Sequence, residues 1–169
     1  MIILSILILF FSMFMQSVVS TYTGYLYSNL TFFSTLYVLD AILILSPYFE
    51  NKKKYFLLLL VFGLSIDIAY TNTFMLNTCL FVFCYFISKL FHSFFPYNWI
   101  TVSASNVISV FGYHFISFVY LNLLRCDIYS FRVLFQILSH SILMTIIYSS
   151  LLYIIVNFIF KKFELKIVK

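Results

Sequence analysis

Asp40, Asp67, His114 and His140 are ionisable side chains placed inside long apolar stretches of this chain. Carboxylates and imidazoles kept from water can relay protons, line a polar pocket, or bond to hydroxyls and to one another as glue between helices. Each costs a few kcal/mol at membrane depth on insertion scales, so each needs a role or a partner. The two readings, an outward-open polar pocket or proton path and internal glue, both remain open at the level of sequence. Ser139, His140 and Ser141 offer a hydroxyl beside an imidazole, but successive helical residues point about 100° apart, and adjacency alone makes no nucleophile and base. No H-E-x-x-H, G-x-S-x-G or Gly-rich phosphate loop occurs, so no enzymatic activity and no catalytic residue is expected. Cys79 and Cys84 lie in one apolar run and Cys126 in a connecting segment, a pattern without metal-ligand spacing. Neither a metal nor any other cofactor is expected.

The elements that must hold these residues follow from composition. Hydrophobic residues make up 64% of the chain and charged ones 9%, against about 45–50% and about 25% in soluble domains. Such a chain needs lipid as its solvent, and 169 residues make one integral membrane domain, 1–169, with little left for a soluble one. The fold class expected is all-α and polytopic, with six transmembrane helices over approximately 2–19, 32–49, 55–70, 74–91, 99–123 and 133–160. The first run, Ile2 to Val19, is read as a span and not a removed signal peptide, because no Lys or Arg precedes it and no A-x-A site follows. The 34 residues from Tyr55 to Ser88 would reach about 51 Å as one helix, against a hydrocarbon core of roughly 30 Å. They must fold back, and Thr71, Asn72 and Thr73 supply the polar turn. Counted from the inner end of each span, Asp40 falls at roughly 14 Å, Asp67 at roughly 18 Å and His114 at roughly 22 Å, with His140 also in the outer half. The four could share one intramembrane polar layer.

Charge orients the bundle. With the amino terminus inside, the inner segments carry Lys52, Lys53, Lys54, Lys89, Lys161, Lys162, Lys166 and Lys169, and the outer ones Arg125 and Arg132. This asymmetry follows the positive-inside rule and places both termini in the cytoplasm. Tyr22, Tyr25, Tyr27, Tyr70 and Tyr129 fall at the outer boundary, and Tyr48, Tyr55, Tyr97 and Trp99 at the inner one, as interfacial aromatic belts require. The net charge of +5 sits beside apolar runs, so headgroups of a lipid bilayer, and no nucleic acid, are the expected neighbours.

One stretch, Phe62 to Thr78, reads FGLSIDIAYTNTFMLNT. It has a Gly four residues before an Asp at the outer end of one span, a polar turn, then Leu-Asn opening the next. This resembles the rod shape-determining protein MreD family, whose third-to-fourth helix hairpin carries Gly, three apolar residues, Asp, two apolar residues, a small polar turn and Gly-Leu-Asn. Gly63, Asp67, Leu76 and Asn77 stand at the matching positions, and Met75 stands where the family has Gly. Asp40 falls near the polar residue that opens the second family helix, with Leu39 in place of the preceding Pro. The resemblance implies a non-enzymatic scaffold subunit of the bacterial cell-elongation machinery in the cytoplasmic membrane. Its partners would be the membrane protein MreC and other cell-elongation proteins, and its role the control of cell shape and side-wall peptidoglycan synthesis. The Gly63 face could then admit a partner helix, or could serve packing within the chain. The competing class is the vitamin-binding subunit of energy-coupling-factor transporters, also a six-span protein of similar length. Those subunits carry an A-x-x-x-A pattern on their first helix, whereas Ile2 to Val19 contains no Ala.

Overall fold

The computed structural model describes residues 2–26, 36–71, 75–123 and 131–162. Within them the chain forms α1 (Ile2–Leu26), α2 (Tyr37–Leu45), α3 (Lys52–Ile66), α4 (Leu76–Phe94), α5 (Trp99–Leu123) and α6 (Phe131–Lys162). A 3₁₀ turn, Ser46–Tyr48, closes α2, and a π turn, Asp67–Thr71, closes α3. Helices α1, α4, α5 and α6 are each long and apolar enough to cross a membrane. The nine residues of α2 are too few to do so alone, while the fifteen of α3 with the five of the π turn reach roughly 30 Å. Helix α1 continues to Leu26, past Val19, where the first span was expected to end. Lys166, Lys169, Arg125, Asp127, Cys126, Asn72 and Thr73 lie outside the described residues, as do Tyr27 and Tyr129.

Local chemistry sets the helix ends. Asn51 caps α3 by accepting from the backbone N–H groups of Lys53 and Lys54 at 3.0 and 3.4 Å. Three lysines then occupy the first turn of α3, where the helix dipole disfavours cations by a few tenths of a kcal/mol. Their attraction to a membrane surface, about 1 kcal/mol each, outweighs that. Pro96 stops α4, and as α5 restarts Asn98 N–H donates to Thr101 Oγ1 at 2.9 Å while Val102 N–H makes the first helical bond to Asn98 O.

Contacts fix which ends meet. Phe10 packs edge-to-face on Phe62, while Ile2 and Ile6 face one groove with Lys53, Lys54 and Leu57, so α1 and α3 run parallel. Tyr48 lies on Phe160 and Tyr97, and Tyr97 on His92 and Tyr153. The starts of α1, α3 and α5 and the ends of α2, α4 and α6 therefore share one end of the bundle. Lys52, Lys53, Lys54, Lys89, Lys161 and Lys162 sit toward that end, and Arg132 at the other.

Helix α2 is the centre: all nine of its residues are buried, with α1, α4, α5 and α6 packed around it. Helices α4 and α5 are joined by an antiparallel polar ladder. Ser105 donates to Ser88 at 2.9 Å, Cys84 to the carbonyl of Ser109 at 3.3 Å, and Tyr113 to Asn77 Oδ1. Ser103 meets Ser150 on α6 at 2.9 Å, and Tyr148 on α6 donates to Ser12 on α1 at 2.7 Å. Such bonds contribute about 0.6 kcal/mol each in a membrane, where apolar burial gives helices no preference for one another over lipid.

The inner aromatic belt expected from sequence is only partly a belt. Trp99 faces outward, but Tyr48 and Tyr55 are 2% and 1% exposed. Tyr48 packs its ring on Phe160 and Tyr97, and its hydroxyl has no hydrogen-bond partner, whereas Tyr55 and Tyr97 turn to the end of α2, which stops inside the bundle and leaves carbonyls without helical partners. Tyr55 donates to the carbonyl of Ile42 at 3.2 Å and Tyr97 to that of Ile44 at 2.7 Å.

Candidate functional site: the Asp67 clasp

The π turn places Asp67 one step beyond the last turn of α3, with its N–H on the carbonyls of Gly63 and Leu64. From there its carboxylate points at the start of α4. Oδ1 accepts from Asn77 N at 2.9 Å and Asn77 Nδ2 at 3.0 Å. Oδ2 accepts from Thr78 N at 3.0 Å and Thr78 Oγ1 at 2.7 Å. Asn77 and Thr78 are the second and third residues of α4, whose N–H groups an N-cap side chain normally takes. The residue in the cap position, Met75, makes no such bond. Asp67 therefore caps α4 from the preceding helix, and its negative charge lies at the positive end of the dipole. Two carboxylate oxygens offer about four lone-pair sites, and four donors fill them. A carboxylate so engaged is a structural clasp.

Gly63 is part of the same joint. A Cβ on Gly63 would lie 3.0 Å from both Cα and Oγ1 of Thr78, so the missing side chain lets α4 approach close enough for Asp67 to reach it. The Gly63 face is thus internal, and a partner helix has no access to it. Met75 has φ 58°, in the left-handed region that favours glycine. It supplies the backbone turn that a Gly would supply, with some strain. Leu76 opens α4 and packs against the core, half-buried. Sequence reasoning missed Thr78 and Tyr113. Thr78 was legible, since it stands at the third position of the new helix, whereas Tyr113 is 36 residues from Asn77 and carried no local signal.

The four residues of the expected polar layer do not form one hydrogen-bonded group. His140 is exposed on α6, and its Nδ1 lies 2.9 Å from the carbonyl of Gln136 in its own helix. Contrary to the angular argument, Ser139 Oγ comes within 3.4 Å of His140 Nδ1, because both side chains fold back onto Gln136. A carbonyl only accepts, so Nδ1 carries its hydrogen there and cannot deprotonate Ser139. His114 is buried on α5, with no hydrogen-bond partner at Nε2. Asp40 is fully buried in α2, and neither carboxyl oxygen has a hydrogen-bond partner. Tyr37, Cys84 and Tyr148 lie within its electrostatic reach, and Asn106 Nδ2 is 3.5 Å from its backbone carbonyl.

No group of three or more His, Cys, Asp or Glu that could hold a metal occurs among the described residues. No family model, curated protein or solved structure matches the chain.

Proposed function

We propose that this chain is an MreD-like, non-enzymatic scaffold subunit of the bacterial cell-elongation machinery. In this reading it crosses the cytoplasmic membrane six times with both termini in the cytoplasm, and acts by binding MreC. The observation that carries the reading is the clasp itself. Gly63, Asp67 and Asn77, three of the four positions that match the family hairpin, meet in one joint, and Met75, which stands where the family has its second glycine, adopts a glycine-type backbone. A joint whose polar groups are spent on each other supports assembly and leaves nothing for turnover.

Partner recognition then falls to surfaces that remain open. Ile3, Leu7, Phe10 and Phe14 form an outward stripe on α1 at helical spacing, each more than half exposed, and the lysine-bearing end offers positive charge. A tagged copy purified from its native cells should bring down MreC, and cells depleted of the chain should lose rod shape. A stoichiometric bound vitamin without MreC would favour the transporter-subunit reading instead. The orientation has its own test: a periplasm-dependent phosphatase should be active when inserted near Asp127 and silent at Lys169, and the reverse would overturn it.

A further inference from the structure

Between the first turns of α1 and α3 lies an apolar groove of about 420 Å³. Its walls are Ile2 and Ile6 from α1 and Leu57 and Val61 from α3, and Lys53 and Lys54 stand at its mouth. Leu57 and Val61 are 65% and 51% exposed, so the groove opens sideways to the surrounding lipid. At the far end Phe62 closes it, its ring held edge-to-face by Phe10 with centroids 5.5 Å apart. From Lys54 to Phe62 is eight residues, or about 12 Å of helix, which is most of one leaflet's share of a roughly 30 Å hydrocarbon core. No acidic residue lines it.

We propose that this groove seats one acyl chain of an anionic phospholipid, with the lipid phosphate held between Lys53 and Lys54. The walls are aliphatic along their length and positive only at the end that meets the headgroup layer, which is the polarity of a single phospholipid of negative charge. Free phosphate would find the lysines but leave the apolar slot unfilled. The backbone N–H groups of Lys53 and Lys54 are already taken by Asn51, so recognition rests on the two ammonium groups. Each lysine near an anionic surface is worth roughly fivefold in binding, so the pair should favour anionic over zwitterionic lipid by about 25-fold.

The full-length protein, delipidated in detergent and mixed with equal amounts of dioleoyl phosphatidylglycerol and dioleoyl phosphatidylcholine, tests this by native mass spectrometry. A single phosphatidylglycerol adduct should dominate. Lys53→Gln with Lys54→Gln should bring the two lipids near parity, while Lys53→Arg with Lys54→Arg should keep the preference. Val61→Trp, at an already exposed position, should fill the slot and weaken the adduct with both lysines intact. A preference that survives the double Gln change, or falls equally with Lys161→Gln and Lys162→Gln, would mean diffuse attraction to the basic end and overturn the proposal. An adduct unaffected by Val61→Trp would overturn the placement of the chain in the groove. None of these outcomes depends on MreC.

Discussion

Asp67 and Asp40 are two carboxyl groups withdrawn from solvent to the same extent, 1% and 0% exposed, in neighbouring parts of one bundle. Asp67 is met by donors from Asn77 and Thr78, which fill its acceptor sites. Asp40 is met by none, although all nine residues of the helix that carries it are buried. Depth in the apolar core therefore says little about what a buried acid does. The difference lies in what each faces. Asp67 faces a helix start, with N–H groups that have no helical acceptor, and it supplies what they lack. Asp40 lies in the first turn of α2 with its own N–H on the carbonyl of Leu36, but its carboxyl oxygens reach no donor, and the N–H of Val38 is taken by Gln16.

The contrast predicts how each residue responds to change. The largest effect belongs to Asp67→Leu, which strands the donors of Asn77 and Thr78 in a buried joint. At about 1–3 kcal/mol for each unsatisfied group, the loss should exceed what a marginally stable bundle carries, and inserted protein should fall to a small fraction of normal on immunoblots. Gly63→Ala comes next. Its methyl would press on Thr78 Cα, a backbone atom, and the expected cost is about 1–3 kcal/mol, read as a lowered midpoint of thermal unfolding in detergent. Normal stability with lost partner binding would show that this face is open after all.

The clasp has a smaller analogue on α1. Gln16 Oε1 accepts from Val38 N at 3.2 Å, capping the start of α2 from another helix, since Leu36 makes no side-chain cap there. With Tyr55 and Tyr97 on the carbonyls of Ile42 and Ile44, both ends of α2 are completed by residues from elsewhere. That is what an environment without water demands of a helix that ends inside the bundle. Gln16→Leu should cost about 0.5–2 kcal/mol in the same unfolding measurement. Met75→Gly should act in the opposite direction, gaining about 1 kcal/mol by relieving the left-handed backbone, and a loss there would contradict the strain argument.

Much of this architecture was legible in the sequence, and the reason differs by part. Membrane class, the fold-back after α3 and the gathering of lysines at one end follow from hydropathy and charge, which lipid reads directly. Gly63, Asp67 and Asn77 were legible because a clasp across a tight turn is local in sequence. The central place of α2 was not. In lipid both the outside and the inside of a bundle are apolar, so the run Leu43 to Leu45, fully buried, reads the same as Ile3 and Leu7, which face outward. Tyr55 and Tyr97 turn inward for a related reason. An aromatic hydroxyl near the boundary serves equally in a belt or on an orphan carbonyl, and only the early end of α2 decides between them. His140 was credited with depth but faces away, since depth along a helix carries no information about its azimuth.

The most direct test compares two isosteric substitutions in one experiment: Asp67→Asn and Asp40→Asn, each unfolded thermally in the same detergent. Asn at 67 would turn one acceptor oxygen into an NH₂ group facing donors of Asn77 or Thr78, so the shape survives but the bonding does not. The account predicts a loss of about 1–3 kcal/mol for Asp67→Asn and none for Asp40→Asn, where no donor loses its acceptor. A stable Asp67→Asn protein, or a collapse of Asp40→Asn equal to it, would contradict the assignment of Asp67 as the clasp that closes this hairpin.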